Sequence, residues 1–319
     1  FLKEKAKTIN VFYTQFGAEE LMRECSREKE RYQLMGMVNN PRDGRPTRQD
    51  QFVFYLKNLV PETVLITDCT EMIWDLRMIK SPAEIDLLRT AGKIGVEAHK
   101  ALMKGTYVGQ PEYEIAALFE YENKKRGAQE LAYYTIVCSD ENHSYAHYHT
   151  YDRVLEDGDF LVIDGGPDFH YYDIDITISY PVNGKFTPRQ REVYEACNAM
   201  HEACMAVYRP GLEISKLSGE VDAKLKEMGY DTKLPIFKRF RSSFGHYVGM
   251  AVHDVGGGPR TLEVGMVFAN EPMAIFAEEN LGVRVEDTIV ITEDGCENLT
   301  AGLPRTIEEI EAFMKGGVE

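Results

Sequence analysis

Two aspartates near the middle of the chain have the sequence setting of carboxylates that do chemistry inside a protein. Asp164 follows a short apolar run (LVI) and precedes two glycines, and Asp175 comes eleven residues later. In the segment DIDITIS, which contains Asp175, alternation places the polar side chains on one strand face and the isoleucines on the other. A hairpin would bring the two aspartates together, where buried carboxylates repel unless a proton or a cation lies between them. A polar hairpin that faces water accounts for the same pattern, so this pair alone leaves both interpretations open.

The C-terminal part of the chain supplies further acidic side chains and two histidines. Glu271 ends one apolar run, and Glu286 lies in another, two residues after Arg284 and on the same strand face. His246 and His253 are seven residues apart in a glycine-punctuated apolar stretch. A single residue of these types usually indicates a turn or a core histidine. Together, two Asp, two Glu and one His form an oxygen-rich ligand set of the kind that holds two divalent ions.

The helices that must position these residues have clear start signals. The segment 81–84 (SPAE) combines a capping serine, a proline and a returning glutamate, and the apolar stripe behind it predicts a helix towards Gly105. The segment 187–190 (TPRQ) repeats the signal and predicts a helix to about Tyr208. Further helices are predicted at 18–35, 111–127 and 213–228, and after Thr306.

Strand-like runs lie between these helices, at 131–138, 160–163, 171–180, 266–269 and 283–291. Helices and strands fall into two comparable sets, 82–186 and 187–319, and in each set helices are followed by a carboxylate-bearing strand pair. This order predicts an α+β domain over 79–319, with two similar halves that enclose a central site. Residues 1–78, with turn-rich 39–44 and a strand-like run at 63–67, are interpreted as part of a separate N-terminal domain.

Composition excludes several classes of function. The 319 residues include 36 Lys and Arg against 52 Asp and Glu, and the net charge of −16 argues against general nucleic-acid binding. The six cysteines form no C-x-x-C pair, so neither a disulfide framework nor a thiolate zinc site is indicated. No apolar run is long enough for a membrane helix, and we expect a soluble, cytoplasmic protein without a membrane partner. Because the first residue is Phe1 and not Met, we expect a trimmed chain, of which any leader would be invisible.

The order and local contexts of the candidate ligands resemble those of the pita-bread metallopeptidases. Asp164, Asp175, His246, Glu271 and Glu286 occur in the contexts LVIDGG, YYDIDITIS, GHYVGMAVHDVGG, NEP and VRVEDTIVIT. The match covers about residues 76–314 and is most similar to the proline-specific branch, aminopeptidase P and prolidase. It implies the pita-bread (creatinase/aminopeptidase) fold with pseudo-twofold related halves, preceded by part of a smaller α/β N-terminal domain.

The resemblance also implies a role for each candidate ligand. Asp164 would chelate one metal ion, and His246 and Glu271 would bind the other. Asp175 and Glu286 would bridge the two ions, and a water or hydroxide between the ions would be the nucleophile. Glu271 would take the proton of that water. Manganese is the expected metal, and cobalt or zinc would also suit these ligands.

Three more residues match the family's substrate site. His253 would contact the substrate near the reacting carbonyl, and His147 would help to hold the substrate and the developing charge. Both are therefore expected to be catalytic, together with Glu271. Arg284 would line the substrate site and hold a neighbouring carboxylate by charge-assisted bonds.

The leading hypothesis is an Xaa-Pro aminopeptidase that acts on short peptides with proline in second position and is compatible with a homodimer. A dipeptidase of the prolidase type is the alternative within enzymes. A pita-bread protein that serves as a binding scaffold, or that acts on a non-peptide substrate, is the alternative outside them. Ser242 and Met273 depart from the family's usual His and Gly, and Thr177-Ile178-Ser179 replaces its usual Thr-Arg-Thr. These departures affect the predicted substrate more than the predicted metal site.

Overall fold

The computed structural model describes residues 1–16, 46–240, 244–255 and 260–315. The chain divides into two compact units, Phe1–Met78 and Ile79–Glu319. The predicted helix at 18–35, the turn-rich segment 39–44 and Ser242 lie outside the described residues. The interpretation of the first unit as part of the family's N-terminal domain stays a prediction.

The first unit is a small α/β arrangement. Its strands β1 and β2 pair in parallel, with Val11 opposite Leu65. The strand predicted at 63–67 is therefore present but begins and ends slightly later. In chain order the elements are α1 (Leu2–Lys5), β1 (Val11–Thr14), α2 (Arg48–Leu59), β2 (Leu65–Asp68) and α3 (Thr70–Met78).

The helices of the described part of the second unit are α4 (Pro82–Gly105), α5 (Glu112–Lys125), α6 (Pro188–Val207), α7 (Leu217–Glu227) and α8 (Ile307–Lys315). Three of them, α4, α6 and α8, begin where the capping signals predicted. The Ser81 and Thr187 side chains both form complete capping boxes, which satisfy backbone N–H groups that have no partner within the helix. The helix predicted at 213–228 opens instead with a 3₁₀ turn, Ile214–Lys216. None of the helices in the described part of the chain is long and apolar enough to cross a membrane.

In the described part of the second unit, the strands form four small sheets. In order, the sheets are β4-β5-β8, β3-β6-β7, β13-β12-β9 and β10-β11, and all of their pairings are antiparallel. The strands are β3 (Glu130–Leu131), β4 (Ile136–Ser139), β5 (Phe160–Asp164), β6 (Pro167–Phe169), β7 (Tyr172–Asp173), β8 (Thr177–Pro181), β9 (Val267–Asn270), β10 (Met273–Phe276), β11 (Leu281–Arg284), β12 (Asp287–Ile291) and β13 (Cys296–Asn298).

Three runs that were predicted as single strands are interrupted. The interruptions contain Tyr133 and the candidate ligands Asp175 and Glu286, respectively. The breaks fall at 132–135, 174–176 and 285–286. At the second break, the backbone of Ile174 passes so close to Gly166 that a Cβ there would lie 1.6 Å from the Ile174 carbonyl oxygen. The backbone N–H of Asp175 donates to Thr288 Oγ1 at 3.0 Å instead of joining a strand ladder. The predictions of continuous strands were wrong here because contacts with distant residues replace local pairing.

The two predicted halves meet directly at the site. The β5–β8 pair comes from the first half and the β9–β12 pair from the second, and a bridge between Thr177 and Glu286 joins them. The isoleucines of the DIDITIS segment are fully buried, which confirms that this face is core. Ile174 and Ile176 pack with Leu88 of α4 and Val267 of β9 in one hydrophobic cluster. The core therefore holds the segment that carries Asp175 and the β9 strand against the same helix.

Candidate metal-binding active site

The two aspartates lie at the ends of neighbouring strands. Asp164 is the last residue of β5, and Asp175 stands in the break just before β8. Both are almost completely buried. The hydroxyl of Tyr133 contacts a carboxylate oxygen of each aspartate, so a single phenol lies between the two carboxylates.

The two glutamates come from the second half. Glu271 follows β9 and its backbone N–H donates to the Phe244 carbonyl at 2.9 Å. Glu286 lies in the break before β12, where the Thr177 hydroxyl donates to its Oε2 at 2.6 Å. The other oxygen, Glu286 Oε1, is buried without a hydrogen-bond partner among the residues that the structure describes. A buried carboxylate oxygen without a partner is unfavourable unless a proton or a cation binds to it.

His246 connects the aspartate side of the cluster to the glutamate side. Its Nε2 lies 3.3 Å from Asp175 Oδ2 and 3.6 Å from Glu271 Oε1. Its Nδ1 lies 3.1 Å from the Tyr247 carbonyl oxygen, which leaves Nε2 directed at the carboxylates. Ligand atoms of Asp175, His246 and Glu286 all lie within 4.8 Å of one another, close enough to hold a metal ion.

The protonation equilibria of this cluster are strongly shifted. Burial, and next the charge of Asp164, raise the pKa of Asp175 to about 7. Burial and the charges of Asp175 and Glu271 raise the pKa of Glu286 well above its ordinary value. Burial lowers the pKa of His246, but the hydrogen bond to Asp175 and the charge of Glu271 outweigh that effect and raise it to about 9. Each of these pKa values is raised, so the folded cluster binds protons more tightly than the isolated side chains would. Divalent ions supply the same positive charge and displace the protons when they bind.

Arg284 places a positive charge among the carboxylates. It is buried on β11, where its Nη2 contacts Asp164 and its Nη1 lies 3.6 Å from Glu271 Oε2. Burial opposes its charge, but the surrounding carboxylates, Asp164 first, raise the pKa of the guanidinium above its usual range. One fixed positive charge cannot neutralise four carboxylates, so the donor set fits additional cations.

Two more histidines border the cluster. The His253 ring lies 3.9 Å from that of His246, measured between ring centroids, and the His147 ring lies 6.4 Å from that of His253. His253 thus lies next to both other imidazoles, and we refer to the three histidines as the histidine row. His147 comes from the loop after β4, and His253 from the loop between His246 and β9.

Sequence reasoning missed two contacts that shape the site. The sequence predicts only that Tyr133 belongs to a strand-like run, and no local signal marks a phenol that lies between two aspartates. Thr177 was placed on the carboxylate face but was given no role. Its hydroxyl and its carbonyl both bind Glu286. An alternating polar face that includes a threonine is the one signal that could have suggested this contact.

Of the departures from the family pattern, Met273 has a visible position. It stands opposite Arg284 in the β10–β11 register, and it lines a small apolar pocket with Cys138 and Tyr145. Ser179 of the Thr-Ile-Ser segment donates to the Arg284 carbonyl at 2.7 Å. These residues therefore border the Arg284 side of the site.

Comparison with known sequences supports the same family. Residues 86–293 match metallopeptidase family M24. The Xaa-Pro aminopeptidase of Escherichia coli (strain K12) is 37% identical over 284 residues, which cover 81% of this chain and 64% of that protein. The Xaa-Pro dipeptidase of Rattus norvegicus is 33% identical over 342 residues, covering 87% of this chain and 67% of that protein. The chain thus spans about two thirds of the length of these curated relatives.

Comparison with solved structures confirms the pita-bread fold. Zinc-substituted aminopeptidase P from Escherichia coli, in complex with product, superposes with a TM-score of 0.76 at 35% identity, covering 86% of this chain and 70% of that one. A structure described as a putative aminopeptidase P from Bacillus anthracis superposes with a TM-score of 0.78 at 28% identity, covering 91% and 73%. The shared fold, the related sequences and the match over residues 86–293 show that this chain belongs to metallopeptidase family M24.

Proposed function

We propose that this protein is an exopeptidase dependent on two metal ions that hydrolyses the bond between an N-terminal residue and a following proline. The observation that carries the proposal is the convergence of four carboxylates and one imidazole from both halves of the fold, where Glu286 Oε1 is buried and has no hydrogen-bond partner among the described residues. Such mutual repulsion is unfavourable in a fold with no cation to bind. Close relatives named Xaa-Pro aminopeptidase and Xaa-Pro dipeptidase supply the substrate class.

Each ligand has an assigned part in this proposal. Asp164 would hold one ion, His246 and Glu271 the other, and Asp175 and Glu286 both. When bound, such an ion pair provides an activated water as nucleophile and polarises the scissile carbonyl. Glu271 is half-buried rather than enclosed, so its carboxylate is placed to receive a proton from the nucleophile.

The histidine row and Arg284 would serve the substrate. His253 and His147 carry N–H groups that can donate to the substrate carbonyl as negative charge develops on its oxygen. Arg284 keeps Asp164 and Glu271 in fixed orientations through its two contacts. Manganese is the proposed native metal, with cobalt and zinc as substitutes, because carboxylate oxygens dominate the ligand set.

A dipeptidase is the second candidate. Its support is that relatives named Xaa-Pro dipeptidase match as much of this chain as those named aminopeptidase, up to 99% of it. The two activities differ only in whether a residue must follow the proline. A tripeptide and a dipeptide of matched composition therefore separate them.

The test is turnover of Ala-Pro-Ala, Ala-Pro and Ala-Ala-Ala by one preparation with added manganese, cobalt or zinc. We expect release of alanine from Ala-Pro-Ala, little from Ala-Ala-Ala, and none after chelation of the metal. Cleavage of Ala-Pro alone would establish the dipeptidase instead. Bound metal without turnover of any peptide would favour a binding scaffold or a non-peptide substrate, and would refute the proposal.

A further inference from the structure

A completely buried carboxylate lies outside the metal cluster, and the mechanism above does not use it. Glu112 is the first residue of α5 and is 0% exposed. Its helix carries none of the candidate site residues. A charged group in such a position must be compensated by hydrogen bonds, because burial removes its hydration.

The compensation comes from one loop. Glu112 Oε1 accepts from the backbone N–H of Ser139 at 3.1 Å and from its hydroxyl at 2.7 Å. Asn142 Nδ2 lies 3.2 Å from both oxygens of Glu112, and the backbone N–H of Arg153 donates to Oε2 at 3.3 Å. The Tyr148 hydroxyl lies 3.0 Å from Oε2 but 2.7 Å from Asp152 Oδ1, and it has one proton for the two carboxylates. The Glu112 carboxylate thus accepts hydrogen bonds from three residues of the loop and contacts a fourth.

Further contacts direct these donors at Glu112. The Nη1 atom of Arg153 donates to Ser139 Oγ at 3.1 Å, which leaves the hydroxyl proton free to point at the carboxylate. The backbone N–H of Glu112 donates to the Arg153 carbonyl at 3.0 Å, so the same residue also holds the end of the loop. The carboxylate lies in the first turn of a helix, where the backbone dipoles favour negative charge.

His147 lies between the attachment points. The loop contains a 3₁₀ turn, Asp140–Ser144, but no longer element that could fix the histidine by itself. His147 immediately precedes Tyr148, and its ring lies 6.4 Å from that of His253. An error of about 1 Å in the position of a group that acts on the substrate costs roughly a hundredfold in rate.

We propose that Glu112 is a positioning residue for His147, because its carboxylate fixes the loop 139–153 that presents this histidine. The inference rests on the proposed function, in which His147 acts on the substrate. Glu112→Gln keeps the size of the side chain but turns one acceptor oxygen into an NH₂ group, which faces donors and not acceptors.

The kinetic test is a double-mutant cycle between Glu112→Gln and His147→Ala. With intact His147, we expect kcat/KM for Ala-Pro-Ala to fall roughly tenfold to a hundredfold, mainly through kcat. In the His147→Ala background, the same change should cost less than about twofold. An equal loss in both backgrounds would show that Glu112 acts on folding in general and would overturn the inference.

A matched control exists on the same helix. Glu122 is also a buried glutamate of α5, but its partners Lys125 and Arg126 lie within or next to that helix. Glu122→Gln should therefore leave kcat/KM for Ala-Pro-Ala unchanged, both with intact His147 and in the His147→Ala background. If Glu112→Gln fails to fold, Ser139→Ala is the substitute, because it removes one donor to the Glu112 carboxylate. It should also lower kcat/KM only when His147 is intact, but by a smaller factor.

Hydrogen exchange tests the loop independently of activity. Peptides that cover 139–153 should exchange about tenfold faster in Glu112→Gln than in Glu122→Gln, with the rest of the second unit unchanged. Unchanged exchange in this loop would refute the inference even if activity fell. An inactive wild-type protein whose loop nevertheless depends on Glu112 would refute the proposed function alone.

Discussion

At the scale of the residue, the site is a group of acids and bases that alter one another's proton affinity. Asp175, with a pKa raised to about 7, and His246, with a pKa raised to about 9, lie in direct contact. The shifts arise because four carboxylates lie together with little water around them. Such a cluster binds protons or cations strongly, and removing one ligand removes both charge and a donor atom.

Glu271→Ala should abolish turnover and weaken metal binding. In the proposed function the variant would lose a ligand of one ion and the group that takes the proton from the nucleophile. We expect a rate loss of at least about a thousandfold, together with a lower metal content. Turnover of Ala-Pro-Ala and elemental analysis of the same sample measure both effects. Activity near that of wild type would refute the role of Glu271.

His253→Ala provides the complementary case. This histidine borders His246 but is not an assigned ligand, so its loss should lower kcat about a hundredfold and leave the metals bound. Glu293→Ala, which removes an exposed glutamate, is the control for the loss of an acidic side chain. Loss of both metals from His253→Ala would show that His253 is misassigned.

At the scale of the element, the site depends on places where regular structure stops. Asp175 and Glu286 stand in strand breaks, and His253 stands in a loop. These segments depend on contacts other than strand pairing. The loop that carries His253 is held by an ion pair. Lys80, just before α4, lies 3.0 Å from Asp254, and the two side chains are only 1% and 0% exposed. Gly249 leaves room for this pair, since a Cβ there would lie 2.0 Å from Asp254 Oδ2.

Lys80→Met should therefore destabilise the second unit strongly. It leaves the Asp254 carboxylate buried without its cation, which costs about 3 to 5 kcal/mol in the free energy of unfolding. Lys80→Met combined with Asp254→Asn should lose less than the sum of the single changes. Urea unfolding measures all three variants. Lys100→Met, which removes a more exposed ion pair with Glu97, is the control and should cost less than about 1 kcal/mol. An equal cost for Lys80→Met and Lys100→Met would contradict the prediction.

At the scale of the whole second unit, two buried histidines make stability dependent on pH. Burial lowers the pKa of His99 and of His143 from 6.5 to about 4. Their Nε2 atoms lie 3.0 Å from the Gly165 carbonyl oxygen and 2.9 Å from the Phe160 carbonyl oxygen, respectively. The folded state therefore holds both rings neutral at a pH where the unfolded chain already protonates them.

The contribution of these two histidines to the free energy of unfolding should consequently fall as the pH drops from 6.5 towards 4. In that range the unfolded chain binds more protons than the folded one at these two rings, so their protonation favours unfolding, whereas their full contribution is present above 6.5. Urea titrations at several pH values give the slope. His143→Gln should reduce it, and His170→Asn, at an exposed position, should not. An unchanged slope in His143→Gln would exclude His143 as a source.

The sequence by itself determined the features that neighbouring residues encode. Capping boxes at Ser81 and Thr187 placed two long helices, because N-cap hydrogen bonds join residues only three positions apart. Alternation identified the isoleucine face as core, because side chains on a strand alternate whatever lies beyond it. The family motifs selected candidate ligands in both halves of the second unit.

Only the tertiary structure decided how these parts meet. The strand predicted at 171–180 breaks at 174–176, because Gly166 admits the backbone of Ile174 and Thr288 takes the N–H of Asp175 from a segment 113 residues away. Tyr133 reaches both aspartates, and Glu112 reaches the His147 loop, without any local pattern that marks either contact. Periodicity and capping act over a few residues, whereas burial and charge compensation depend on which distant segments the fold brings together.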